Sequence, residues 1–496
     1  MKNIKYYISV LTFLFAFSSC QNYLDVLPEN EQSSSEYWQT KEEVQAVLAA
    51  GYVNLRSSQE DLFLWGEARG NGIIFYGDGS EGQKSAQKVR SMDILLNNDL
   101  AKWDAIYKVI NMANSVIKYA PDVVRRDESF NANVMNSYLS EAYFLRALSY
   151  FYLVRVFGDV PYVIEPYVDD EASYVLGVTS GNEILKKCVI DLNGSLESAK
   201  EYFPETDATN PMNTKGRATK WAINSLLADI NLWLGNYQDC LAECDAVINS
   251  GRVGLIPGSS WFKNFYPGNS NESIFEIQYS KTLAQTNSFI SWFNTNHNYL
   301  ISTYELTLFN DENDVRAGNS SYKTSDESTI WKYVGKLNDG ATARDGSTEN
   351  DQNYIIYRLA DIYLMKAEAN IMLGTDDDFA KGAGLINQIR QRAGLADISA
   401  TSNQQSMLTL LLQERQREFF AEGKCWFDLL RIGSRDNYKY KDLLIQQVLY
   451  ATGANNQAVM RSKLTDTNSW YMPYHEDETA VNPLLKQNSY YEKLGK

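Results

Sequence analysis

The chain has 496 residues, with 62 acidic side chains against 46 basic ones and a formal net charge of −16. So acidic a surface repels nucleic acid and anionic lipid headgroups, which argues against both as partners. Two histidines and five cysteines in a chain this long exclude a disulfide framework and leave little material for histidine-based catalysis or metal binding.

The N-terminus carries Lys2 and Lys5, an apolar run over residues 6–17, and then Ser18-Ser19-Cys20. The run is short of the roughly 20 residues of a permanent membrane span and reads as a signal peptide over residues 1–19. Small-small-Cys resembles a bacterial lipobox, in which Cys20 is lipidated and becomes the first mature residue. The body is therefore expected outside the cytoplasm, held to a membrane by acyl chains. Loss of Lys2 and Lys5 takes the net charge to −18. Residues 20–40, polar and containing Pro28 and Ser33-Ser34-Ser35, read as a tether.

The periodicity predicts a helix over residues 41–55, with Val44, Val47, Leu48, Gly51, Tyr52 and Leu55 on one face. The stripe Trp103, Ile106, Tyr107, Ile110, Ala113 and Ile117 predicts a second helix ending at Pro121. Residues 138–157 are apolar almost all round, as in a helix buried on several sides, and end at Gly158-Asp159-Val160-Pro161. Helical pairs are expected over residues 214–234 with 237–248, and over 355–373 with 379–392. Leu234-Gly235 and Leu373-Gly374 mark equivalent turns, aligning Ile223 with Ile362, Ala228 with Ala367 and Val247 with Ile386. That is the logic of tetratricopeptide-type hairpins, at irregular intervals. Residues 251–351 change character: Gly, Asn, Ser, Thr and Asp dominate, broken by one clear strand at residues 273–279. The reading is a mainly all-α domain over residues 41–496. Its helical scaffold covers about 41–250 and 352–432, its loop-rich, β-poor ligand-binding insertion about 251–351, and its C-terminal segment 433–496.

Catalytic patterns are scarce. His297 and His475 belong to no helical metal-binding pair, and there is no phosphate loop or nucleophile elbow. Asp376-Asp377-Asp378 reads as acids favouring a helix start. Cys240 and Cys244 read as two small residues on one buried helix face. No enzyme activity, no cofactor and no metal are expected.

Several segments together resemble the SusD/RagB family of outer-membrane nutrient-binding lipoproteins. They are Tyr23-Leu24-Asp25 with Pro28, Tyr37-Trp38 and Thr40, then Glu141-Ala142-Tyr143-Phe144-Leu145-Arg146-Ala147 running on to Pro161. Next come Tyr357-Arg358-Leu359-Ala360-Asp361, Ala367-Glu368-Ala369 and Ile386-Asn387-Gln388-Ile389-Arg390. Glu414-Arg415, Glu418-Phe419 and Glu422-Gly423 lead to Trp426-Phe427-Asp428-Leu429-Leu430-Arg431, and Asn482-Pro483 closes the series. The resemblance implies helical hairpins with ligand-binding loops on the opposite side, and capture of an oligosaccharide or polysaccharide. It also implies a SusC-like TonB-dependent transporter as partner and an outer-membrane, surface-exposed location. Some branches of the family take peptides instead, and a lipid-anchored glycan hydrolase is a further alternative. Trp426, Phe427, Arg431, Arg146 and Asp159 are expected to be packing and buried-pair residues.

Sugar recognition calls for an aromatic face with amides around it. Trp292, Phe293, Asn296, Asn298 and Tyr299 offer that mixture within nine residues, and Asn71, Phe75 and Tyr76 offer it on a glycine-rich loop. The alternative is that Trp292 and Phe293 plug their loop against the core.

Overall fold

The structure, a computed structural model, describes residues 37–75, 81–168, 175–205 and 209–494. The expected lipidation of Cys20 and the candidate Tyr76 lie outside the described residues. Helix α1 (Lys41–Ser57) opens on a capping box, in which Thr40 Oγ1 accepts from the Glu43 N–H and the Glu43 carboxylate accepts from the Thr40 N–H. Of its predicted stripe, Val44, Leu48, Gly51 and Leu55 are buried, while Val47 and Tyr52 at its margins are half-buried. Then follow α2 (Gln59–Glu67), β1 (Ile73–Phe75), α3 (Glu81–Arg90), α4 (Asp104–Val123) and α5 (Ala132–Phe157). Pro121 does not end α4 but lies in its last turn. Only two helical residues follow it, so the missing N–H costs a single bond at an end that frays anyway.

After α5 the strands β2 (Val160–Pro161) and β3 (Val178–Thr179) pair, and α6 (Gly181–Ser195) returns along α5. The helix expected over residues 214–234 is two, α7 (Met212–Gly216) and α8 (Lys220–Leu234). Arg217 between them adopts extended backbone while its guanidinium reaches Glu141, and Thr219 restarts the chain as an N-cap. Helix α9 (Tyr237–Ile248) follows a turn at Gly235, whose φ of +82° is in the left-handed region that only glycine adopts without strain. Gly374 makes the same turn at φ +87° in the second hairpin.

The loop-rich part holds β4 (Ser273–Ile277), β5 (Tyr299–Ile301), the short helix α10 (Thr303–Leu308), β6 (Tyr322–Lys323) and β7 (Asp326–Ile330). One sheet has the order β1-β5-β7-β6, and β4 pairs antiparallel with β8 (Tyr354–Arg358). Residues 354–358 are therefore a strand and not the start of a helix. The run Tyr-Ile-Ile-Tyr is aromatic and β-branched, and it is buried on both faces against β4. Helices α11 (Leu359–Leu373), α12 (Asp376–Ala393), α13 (Gln404–Phe419) and α14 (Cys425–Gly433) come next. They are followed by α15 (Lys441–Tyr450), α16 (Gln457–Thr465), α17 (Glu476–Val481) and α18 (Ser489–Leu494).

The helices pack in near-sequential order: α1 on α4, α4 on α5, α5 on α6, α6 on α8, α8 on α9, α9 on α11, and α11 on α12 and α13. This is a mainly helical, tetratricopeptide-like architecture. Ile223, Ala228 and Val247 are buried at equivalent places to Ile362, Ala367 and Ile386, and Cys240 and Cys244 lie on the buried face of α9. The three aspartates opening α12 sit in its first turn behind a Thr375–Asp378 capping box. Among the described residues no helix is long and apolar enough to cross a membrane.

Candidate functional site

The aromatic residues singled out in the sequence come together, but not as a surface. Residues 291–295 form one wide helical turn ahead of β5, and Phe75 at the end of β1 pairs in register with Tyr299. Their rings join Phe63, Phe289, Tyr333 and Tyr354 in one cluster. Centroid separations are 4.6 Å for Phe75–Tyr299, 4.8 Å for Trp292–Tyr299, 5.5 Å for Phe289–Phe293 and 4.4 Å for Phe289–Tyr333. Trp292, Phe293, Tyr299 and Phe75 are all buried. The expectation that they present a stacking face is corrected: ring-on-ring contact uses those faces, as the plug alternative holds. Asn298 is also buried, and its N–H donates to the Trp292 carbonyl. Asn296 is exposed, with Nδ2 donating to Ser291 Oγ at 2.9 Å. Asn71 is sealed in a carboxamide cluster, donating to Gln447 Oε1 at 3.1 Å and accepting from Gln416 Nε2 at 3.0 Å.

What the cluster does is carry a polar concavity. Phe63 lies one helical turn beyond Gln59 and Glu60, and Phe289 directly follows Ser288, whose hydroxyl donates to Glu60 Oε1. Packing of those rings brings the start of α2 against residues 284–287. The enclosed volume is about 340 Å³, lined by Arg56, Gln59, Glu60, Tyr279, Gln285 and Asn287 among others. The Tyr279 hydroxyl is shared between the Arg56 carbonyl and Gln59 Oε1, at 3.3 Å each. Asn287 is held by Gln352, donating Nδ2 to its carbonyl at 2.7 Å and accepting from its Nε2. Gln59 is fully buried, yet its Nε2 finds no partner among the described residues. The Gln59 side chain is sealed, so the groups this concavity offers a ligand are those of Arg56, Glu60 and Gln285.

A second concavity of about 320 Å³ lies on the same face of α1, lined by Gln45, Ala49, Tyr52, Asn213, Arg217 and Gln278 among others. Gln45, Ala49, Tyr52 and Arg56 follow at helical spacings of four, three and four, so the two hollows lie end to end along α1. Their other wall is continuous too, since Gln278 lines one and Tyr279 the other. Arg217 is fixed as a fork on the buried Glu141, with Nε–Oε2 at 2.9 Å and Nη2–Oε1 at 2.6 Å. Tyr52 donates to Glu141 Oε2 at 2.7 Å and accepts from the Ala218 N–H. Burial pushes the Glu141 carboxyl up, against the pull of the Arg217 charge. Amides, hydroxyls, two guanidinium groups and the Glu60 carboxylate along the trough suit a polar, hydrogen-bonding ligand. Neither histidine and no cysteine lines it.

The trough was missed in the sequence because its residues are polar side chains on an amphipathic helix, which ordinarily face solvent. The motif residues behave as expected instead. Arg431 pairs with Glu368 and Asp428, and Arg146 with Asp191 at 2.7 Å. Trp426 is buried under the Arg69 guanidinium, and Asp159 accepts from the Gly181 N–H. A buried ion network ties the loop-rich part to the helices. Arg358 contacts Glu272, Glu418 and Glu422, while Arg316 contacts Asp314, Glu414 and Glu418. Burial opposes ionisation of Glu418, but the charges of Arg392, Arg358 and Arg316 outweigh it and hold the carboxyl well below the usual range.

Residues 235–491 match the family model described as the SusD family, and residues 22–232 match one described as starch-binding associating with outer membrane. The SusD-like protein P38 of Formosa agariphila is 25% identical, the match covering 87% of this chain and 91% of that protein. The starch-binding protein SusD of Bacteroides thetaiotaomicron is 33% identical over 116 residues, 23% of this chain and 19% of that protein. The solved structure of surface glycan-binding protein A from Bacteroides uniformis superposes with a TM-score of 0.72 at 21% identity, covering 91% of this chain and 100% of that one.

Proposed function

Because the chain belongs to the SusD family, we propose that it is a non-catalytic lipoprotein of the outer membrane that binds extracellular glycans and hands them to a SusC-like TonB-dependent transporter. The observation that carries the binding reading is the trough along α1, two adjoining polar hollows lined by Arg56, Glu60 and Gln285 and by Gln45, Tyr52 and Arg217. Hydroxyl-rich chains supply donors and acceptors at short intervals, which is what such a lining satisfies. Names given to relatives, a starch-binding protein and a surface glycan-binding protein, support the ligand class. The lipid anchor at Cys20 is supported by the basic, apolar and small-small-Cys pattern of the first twenty residues. The aromatic cluster and the buried ion network keep the trough's walls fixed, so that capture costs little ordering of the protein.

The test is isothermal titration of the chain from residue 21 onward against soluble plant, host and microbial glycans, with a tryptic peptide mixture alongside. Heat from at least one glycan and none from peptides is expected. Heat from peptides alone would reverse the ligand class, and sustained shortening of a bound glycan would reverse the non-catalytic reading. Co-purification of the membrane-extracted lipoprotein with a TonB-dependent transporter tests the delivery step.

A further inference from the structure

Resting on the glycan reading, we propose that Tyr450, stacked on Tyr304, is a second ligand contact outside the trough, a stacking subsite for the apolar face of a pyranose ring. The two rings lie parallel, with centroids 4.9 Å apart and planes 13° from coplanar, and Tyr450 is 50% exposed. The pair shares no residue with either hollow along α1. Most ring pairs in the buried cluster around Phe63 are edge-on or tilted, which suits packing from several directions. A parallel pair with its outer member half in water leaves a flat apolar surface uncovered.

That surface is held in place from beneath. Ser302 caps α10, accepting from the Glu305 N–H at 3.0 Å and donating to the Asn71 carbonyl at 2.6 Å. Tyr304 sits in the first turn of that helix and donates its hydroxyl to Gln447 Oε1 at 2.9 Å. Gln447 in turn belongs to the sealed carboxamide cluster with Asn71 and Gln416. Asn71 is thus a bracket under the stack and not itself a ligand contact. Such buried, paired amides fix one rotamer of Tyr304, and Tyr304 fixes the plane of Tyr450.

The rim has the chemistry that a sugar's edge requires. Gln446, one turn before Tyr450 on α15, is exposed and accepts from Arg461 Nη2 at 3.3 Å. Arg90 Nη2 donates to the Ala451 carbonyl at 2.9 Å, which ties down the chain just past Tyr450. An apolar ring with an exposed amide and its guanidinium partner one helical turn away matches a pyranose, which is apolar on its face and hydroxylated around its perimeter.

Affinity electrophoresis through native gels cast with amylopectin, xylan, mannan or laminarin tests this with the whole mature chain. In each gel that retards the wild type, Tyr450→Ala is expected to weaken retention about fivefold or more, and Tyr450→Trp to preserve it. Unaltered thermal unfolding of both variants checks that the fold is intact, as substitution at an exposed position leads one to expect. Retention of Tyr450→Ala equal to wild type overturns this subsite and leaves the glycan reading standing. Retardation of the wild type by none of the gels overturns the reading and the subsite together.

Discussion

Arg358, the last residue of β8, places Nη1 2.5 Å from Oε1 of Glu418 near the end of α13, with neither side chain exposed to water. The same guanidinium reaches Glu272 at 2.8 Å and Glu422 at 2.9 Å, so one cation joins Glu272 before β4 to two carboxylates around the end of α13. A buried pair adds little net stability over well-packed apolar groups, but breaking it leaves a charge that nothing compensates. Glu418→Gln is therefore expected to destabilise the chain by about 3–5 kcal/mol, read as a lower urea midpoint. Glu42→Gln on the exposed side of α1 should stay within about 0.5 kcal/mol of wild type.

Much of this architecture was legible from the chain. Leu-Gly at residues 234–235 and 373–374 marked left-handed turns, and the stripe over residues 41–55 marked the buried face of α1. The motif over residues 141–147 pointed to Arg146 as a buried-pair residue without naming Asp191 as its partner. The strand at residues 354–358 was hidden because it runs into a helix without a turn signal, and only its pairing with β4 distinguishes the two. The site was less legible. Trp292 and Tyr299 sit on a polar loop, and no local pattern says whether such a ring meets water or another ring. Tyr304 and Tyr450 are 146 positions apart and become a pair only through the fold.

Two buried carboxyls predict how stability varies with pH. Burial pushes Glu67 and Glu305 up to about 8 each, with a smaller push on Glu305 from the Glu67 charge and on Glu67 from the Glu422 charge. Glu67 accepts from the Gly423 N–H at 2.8 Å, whereas Glu305 Oε1 has no partner among the described residues. Their folded values lie above their unfolded ones, so their contribution is fully present below the unfolded carboxylate range and is lost as pH rises toward about 8. The loss is at most about 1.4 kcal/mol per pH unit for each group. Glu418 and Glu422 are depressed and act oppositely, stabilising above the unfolded range and failing as pH falls through their folded values. The urea midpoint is expected to peak on the acid side of neutrality, and Glu305→Gln should flatten its decline between pH 5 and pH 8. A midpoint that rises across that interval contradicts the assignment.

The sealed aromatic cluster gives a prediction that separates packing from recognition. Phe293→Ala removes a fully buried ring in contact with Phe289, Tyr299 and Tyr333, and should cost about 3–5 kcal/mol in thermal or urea unfolding. Asn296→Ala, three residues on and exposed, should change stability by no more than about 0.5 kcal/mol.

Gly66 tests the close approach of α2 to the turn after α13. A Cβ there would stand 1.8 Å from the Gly423 carbonyl oxygen, a backbone atom that has no free space to yield. Gly66→Ala is expected to destabilise by more than about 1–3 kcal/mol, the usual range for overpacking, and to lower the yield of folded protein. Gly384→Ala on α12, where a Cβ meets nothing, should be neutral or slightly stabilising in the same expression and unfolding assays.

The central claim, that the trough along α1 grips a glycan, is tested most directly by titrating one binding glycan into wild type and into an Arg56→Ala, Gln285→Ala double variant of unchanged melting temperature. The account predicts that the double variant loses roughly tenfold or more in affinity, as expected for two removed hydrogen-bonding groups. Equal affinities in the two proteins would contradict it.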